Sequence, residues 1–296
     1  MKRINETRLI AFGASLFAGL AMAHAADINV PDGNFQNVNA MVTPPLIGTA
    51  NGSIGAWSVQ YANLAGLDGQ IASSNAATAN WPAPPYGSGS YELEIALPAS
   101  VDDSATLSQA LTNLLQPNSV YTLSVEINQE ATANLLSGST LSLVAVGSTN
   151  LASIGGTALA NLFTNLSGFQ TVTLTYKTGN TVPTNAIGIS FEADGLANLG
   201  GDIFLDNFQL AVNPIQVQMG LSFAAGHPGQ DPAVTVTGQG GAPGATYEII
   251  TSRNLQVPST SWTMITTNTF DTNGNYSQIF TVDPHIPYRF YRTVLP

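Results

Sequence analysis

The stretch GDIFLDNFQL, Gly201–Leu210, decides how this chain folds. It reads as an apolar strand with an acid, Asp206, set in its middle. Working upstream, the same alternation recurs. Tyr91, Leu93, Ile95 and Leu97 alternate with Glu92, Glu94 and Ala96, and period-two runs follow at Tyr121–Ile127, Leu141–Ala145, Val172–Tyr176 and Ile187–Phe191. Alternation of this kind puts one face of an extended chain against a core and turns the other away from it. Gly, Asn, Pro and Ser clusters separate the runs, and no long amphipathic pattern intervenes. The expectation is therefore all-β, an antiparallel sandwich. Two stretches, Ser104–Gln116 and Ala158–Leu166, space their leucines at both two-residue and helical intervals, so each reads either as a strand or as a short helix.

Downstream, the pattern stops at Val212-Asn213-Pro214, and proline cannot donate to a central sheet, which sets a domain boundary there. A smaller all-β unit follows. Its strands are expected at Val217–Phe223, Ala233–Thr237, Thr246–Thr251, Trp262–Thr266, Tyr276–Val282 and Arg289–Val294, with turns at Ala242-Pro243-Gly244 and Asn273-Gly274-Asn275. The size is that of an immunoglobulin-like sandwich. The division is a leader over 1–26, a first domain over 27–212 and a second over 213–296.

The leader is read from Lys2, Arg3 and Arg8, an apolar run from Leu9 to Met22, and Ala23-His24-Ala25 before Ala26. The run is shorter than the roughly 20 residues that span a bilayer, and Ala-x-Ala is the small-residue pattern cleaved after export. The expected destination is extracellular, the cell surface or the periplasm, with no membrane span. Cleavage removes three of the seven basic residues and one of the eighteen acids, so the net charge of −11 becomes more negative still, and Lys177 is the lysine that remains. Such a surface repels phosphate backbones, which excludes nucleic acid as a partner. There is no cysteine, so no disulfide framework contributes to stability. Charged residues make up only 8% of the chain, and the surface must be built largely from uncharged hydrogen-bonding groups.

Three segments carry a family resemblance: DGNFQN (Asp32–Asn37), the pair GSYELEI and LSQALTN (Gly89–Ile95 and Leu107–Asn113), and FLDNFQL (Phe204–Leu210). Together they resemble the galactose-binding-like jelly roll of secreted carbohydrate-binding modules. That resemblance implies a structural calcium between the opening and closing strands, with Asp32, Gln36 and Asp206 at the matching positions. Gln36 stands where the family has a glutamate, and the loss of one charged oxygen should weaken calcium. The resemblance also makes Trp57 a core residue and gives Gln109 the role of supporting nearby backbone. In the second unit, GAPGATYEI (Gly241–Ile249), SRNL (Ser252–Leu255), Trp262, the turn at Asp271–Gly274 and RFYR (Arg289–Arg292) resemble a C-terminal module of secreted Verrucomicrobia proteins, which implies an accessory or attachment role.

Catalytic signatures are sparse. His227 and His285 each stand beside proline without a partner, and no Gly-x-Ser-x-Gly elbow is present. Glu92 and Glu94 share a strand face, with Cα atoms about 7 Å apart, but neighbours on one strand point the same way, whereas glycosidases oppose their carboxyls across a cleft. They read as a solvated face. Asp102-Asp103 and Glu192/Asp194 fall in or near turns, where acids solvate or tie down backbone, with membership of a cation site as the alternative reading. The ligand candidates are Asn80, Trp81 and Tyr86 in the loop NWPAPPY, where three prolines would hold two flat aromatic faces out to stack on sugar rings; the alternative is that Trp81 packs on the sandwich edge. The expectation is a secreted protein without catalytic activity that binds a polysaccharide or cell-envelope glycan, or else a matrix component that self-associates.

Overall fold

The structure is a computed structural model that describes residues 26–35, 40–42, 48–63, 70–75, 91–97, 103–129, 135–147, 149–163, 168–195, 200–225, 231–283, 286 and 289–296. The first unit contains strands β1 (Ala26–Ile28), β2 (Ala40–Val42), β3 (Gly48–Ile54), β4 (Trp57–Asn63), β5 (Gln70–Asn75), β6 (Tyr91–Leu97), β7 (Ser104–Leu114), β8 (Ser119–Gln129), β9 (Ser139–Ala145), β10 (Thr149–Gly155), β11 (Gln170–Lys177), β12 (Ala186–Asp194) and β13 (Gly201–Pro214). They form two antiparallel sheets. One runs β11-β8-β13-β6-β5-β2, with β1 also on β13, and the other runs β10-β9-β12-β7-β4-β3. The expected all-β sandwich is what the chain makes. Of the two ambiguous stretches, the first is strand β7, and the second begins as one short helix, α1 (Gly156–Ala160).

The core lies between the sheets and follows the alternation in the sequence. Leu93, Ile95 and Leu97 of β6, Tyr121, Leu123, Val125 and Ile127 of β8, Val172 and Leu174 of β11, and Leu107 and Phe191 of the facing sheet fill it. Trp57 is fully buried, its ring 4.6 Å from Phe208 and 5.9 Å from Phe35, centroid to centroid. Its indole N–H donates to the Asp32 carbonyl at 3.1 Å. Gln109 donates through Nε2 to the Pro31 carbonyl at 2.9 Å, holding the opening segment as expected.

The second unit contains β14 (Gln218–Ala224), β15 (Ala233–Gln239), β16 (Thr246–Ser252), β17 (Thr263–Thr269), β18 (Tyr276–Thr281) and β19 (Phe290–Val294), in sheets β14-β15-β18 and β17-β16-β19. Its separate core is built on Tyr247, stacked on Tyr276 at 4.1 Å and tilted against Phe270 at 4.9 Å. Lys177, at the end of β11, donates to the Gly240 carbonyl of this unit at 3.1 Å.

One irregularity in β13 positions the site. Asp206 pairs with Glu126 of β8, but the next matched pair is Gln209 with Ser124, so Asn207 and Phe208 together oppose Val125. This is a β-bulge, and Asn207 takes the left-handed conformation it needs, with φ 54°. The extra residue reverses which face each side chain meets. Before the bulge Ile203 and Leu205 join the core; after it Phe208, Leu210 and Val212 do. A strictly regular strand would have put Asp206 on the same face as Phe208 and Leu210, and the bulge turns it to the opposite side, together with Phe204.

Candidate functional site

On that opposite face, away from the sandwich core, the register brings several groups together. Asp206 lies directly across from Glu126, which in turn lies across from Thr171 of β11. Phe204, two residues back on the same face, pairs with Glu94 of β6 on one side and Asn128 of β8 on the other. Directly opposed residues in an antiparallel pair hold their Cβ atoms about 5 Å apart, and diagonal neighbours such as Glu94 and Asp206 about 7–8 Å.

A sheet face turned from the core is ordinarily wet, and the expectation for Glu94 was a solvated face. The structure corrects this. Asp206 is 1% exposed, Phe204 4%, Asn128 5%, and Glu94 and Glu126 6% each. Along β8, burial alternates up to Val125 and is then continuous from Val125 to Gln129, so one end of the sheet is closed on both faces. Past the bulge the outward face opens again, with Gln209 exposed. Lys177, the basic residue of this sheet's strands among the described residues, lies at the far end of β11.

Closed off from water in this way, a carboxyl loses the hydration that favours its charged form. Burial pushes Asp206 up from its ordinary 3.8 to about 7, and the Glu126 carboxyl opposite pushes in the same direction, while the Asn207 backbone N–H, donating to Oδ1 at 2.7 Å, pulls partly back. Thr171 donates through Oγ1 to Glu126 Oε1 at 2.7 Å. Asp206 is thus an acid that still carries its proton where ordinary carboxylates have lost theirs.

The other candidates fall elsewhere. Asn80, Trp81 and Tyr86 lie outside the described residues, as do Gln36, Glu92's side chain, His227 and His285. Asp32 has its Oδ2 on the Ala56 backbone N–H at 2.8 Å, capping the turn between β3 and β4. The two described members of the expected calcium set, Asp32 and Asp206, therefore meet different partners, and among the described residues no group of three His, Cys, Asp or Glu could hold a metal. Asp103 is buried, whereas Glu192 and Asp194 are exposed on β12.

A sequence profile of the HpiC1-like family, described as HpiC1 cyclase, matches residues 26–211, the whole of the first sandwich. The chain belongs to the HpiC1-like family. Among solved structures, a cyclase from Fischerella sp. TAU is 22% identical, with a TM-score of 0.49, over 65% of this chain and 100% of that one. A Stig cyclase from the same organism, in complex with (3Z)-3-(1-methyl-2-pyrrolidinylidene)-3H-indole, is 21% identical with a TM-score of 0.48 and the same coverage. A family 16 carbohydrate-binding module is 14% identical, with a TM-score of 0.32, over 47% of this chain and 84% of that one. No curated protein matches the chain.

Membership of the HpiC1-like family corrects the functional expectation. A protein without catalytic activity, whether a glycan binder or a self-associating matrix component, does not fit a family of cyclases. The patterns by which a sequence usually shows catalysis are a nucleophile with its base, a metal centre or carboxyls opposed across a cleft. The buried Asp206 carboxyl fits none of these patterns, and its mark in the sequence is an acid set inside an apolar strand. The HpiC1-like match ends at residue 211 and leaves the second sandwich outside it. No described helix is long and apolar enough to cross a membrane.

Proposed function

We propose that this protein is an exported cyclase that closes a ring in an unsaturated small molecule by proton donation from Asp206. The observation that carries the reading is the Asp206 carboxyl, buried on the outward sheet face and holding its proton up to about pH 7. A general acid is most effective when its pKa lies near the working pH, and environments that raise a carboxylate this far are found disproportionately at catalytic sites.

The chemistry is an isomerisation. The Asp206 proton adds to a double bond of the substrate and leaves an electrophilic carbon, and an internal nucleophile or π-bond attacks that carbon to form the new ring bond. Loss of one proton from the cyclised cation completes the reaction, so no atom is gained or lost. Glu126 and Glu94 stand around the position with their carboxyl oxygens, and the Phe204 ring offers a π face, a setting that favours positive charge developing in the transition state. The absence of a basic side chain from this end of the described sheet disfavours substrates that carry phosphate or carboxylate. The export expected from the N-terminal pattern belongs to the same proposal.

The test is incubation of the protein lacking residues 1–26 with unsaturated substrates that bear an internal nucleophile, followed by mass spectrometry. A ring-closed product of unchanged mass, gaining one deuteron in D2O, supports the reading, and Asp206→Asn should lower the rate at least about 100-fold. Full activity in Asp206→Asn, or no isomer from any substrate, overturns it.

A further inference from the structure

The row Thr171–Glu126–Asp206 crosses three neighbouring strands on one face, and its members differ in their access to water. Thr171 lies on β11, the edge strand of its sheet, and is exposed, while Glu126 and Asp206 are buried. The Thr171 hydroxyl donates to one oxygen of Glu126 at 2.7 Å. A glutamate has three side-chain torsions and would otherwise sweep its charge over several ångströms, so one short hydrogen bond to a β-branched, rotamer-restricted residue decides where that charge sits.

We propose that Thr171 is a positioning residue for the acid: its hydroxyl pins the Glu126 carboxylate across from Asp206, and loss of the pin changes the electrostatic environment of Asp206 two strands away. The proposal rests on the reading of Asp206 as the proton donor and adds a residue that never touches substrate. Among the described residues, the titratable groups on this surface around Asp206 are Glu126 from β8 and Glu94 from β6, with Asp202 further back on its own strand; β11 brings the Thr171 hydroxyl to the row, and its one charged residue, Lys177, lies at the far end of that strand. Thr171 therefore acts through Glu126 or not at all.

The experiment uses Thr171→Val, which keeps the shape and strand preference of an exposed edge residue but lacks the hydroxyl, and Thr171→Ser, which restores it. The full protein without its leader is labelled with 13C at aspartate carboxyls, and Asp206 is assigned by loss of its signal in Asp206→Asn. At a fixed pH of 7, the Asp206 carboxyl resonance should move in Thr171→Val and return in Thr171→Ser. With a turned-over substrate, kcat should fall about tenfold in Thr171→Val with KM unchanged. An Asp206 resonance identical in wild type and Thr171→Val overturns the proposal. A resonance that responds in a protein without cyclase activity leaves the pin standing and overturns the catalytic reading instead.

Discussion

Asp206 and Glu126 stand directly opposite each other on adjacent central strands, on a closed sheet face, one bulge away from the Phe208 ring that fills the core. Two acids in that position cannot both be charged without cost, and the burden falls on Asp206, which burial has already biased toward its neutral form.

The first consequence concerns stability against pH. Because the folded carboxyl is raised from 3.8 to about 7, the folded state binds its proton more tightly than the unfolded chain does. The contribution is fully present below pH 3.8 and is lost as pH rises through about 7. Urea melts of wild type and Asp206→Asn at pH 4 and pH 8 should show wild type losing on the order of a few kcal/mol that the variant keeps. Parallel losses in the two proteins would mean that Asp206 titrates normally.

The bulge makes a separate prediction. Asn207 has a positive φ, which Gly adopts freely and a β-branched residue resists. Asn207→Gly should keep the fold, whereas Asn207→Val should cost about 1–3 kcal/mol by thermal or urea melting. Equal stability of the two variants would show that the strand does not need the bulge.

The aromatic cluster should be the most sensitive part of the first sandwich. Phe208 is 4% exposed and touches both Trp57 and Phe35. Phe208→Ala should cost about 3–5 kcal/mol, visible as a large fall in Tm. A fall of only a degree or two would argue that the three rings do not form one packed unit.

Asp32 offers a test of the metal question. Its carboxylate takes the Ala56 N–H, so Asp32→Ala should lose about 1 kcal/mol, while Asp32→Asn, which keeps an acceptor oxygen, should lose less. Melting in calcium and then in chelator should give the same difference from wild type. A penalty that appears only with calcium would show that Asp32 is a ligand.

Much of the sandwich could be read directly because it depends on local alternation. Leu93, Ile95 and Leu97 go inward for the same reason that their spacing is two, and Trp57 and Gln109 end where the opening segment needs packing and a hydrogen bond. The site was far less legible. Nothing in the residues themselves says that Glu94 is 6% exposed, since its strand pattern is that of a half-wet sheet. The direction of Asp206 was hidden for another reason. Period two predicts that it shares a face with Phe208, and only Asn207, a residue tolerant of positive φ, hints that the count is interrupted. Pairs of reactive groups show themselves by spacing, whereas a single buried carboxyl does not.

The extra residue at Asn207–Phe208 has a significance for how such a site could arise. A sandwich strand has two sides with opposite demands, and in an ordinary strand a substitution must satisfy whichever side it inherits. A single-residue insertion changes that assignment for everything beyond it in one step, so an acid can be carried out of the hydrophobic interior while the aromatic ring after it is carried in. Deleting one residue would reverse the exchange. Which side an acid meets in this fold is therefore separable from composition: the pairing frame of this strand against β8 decides whether Asp206 enters the core or the closed outer face.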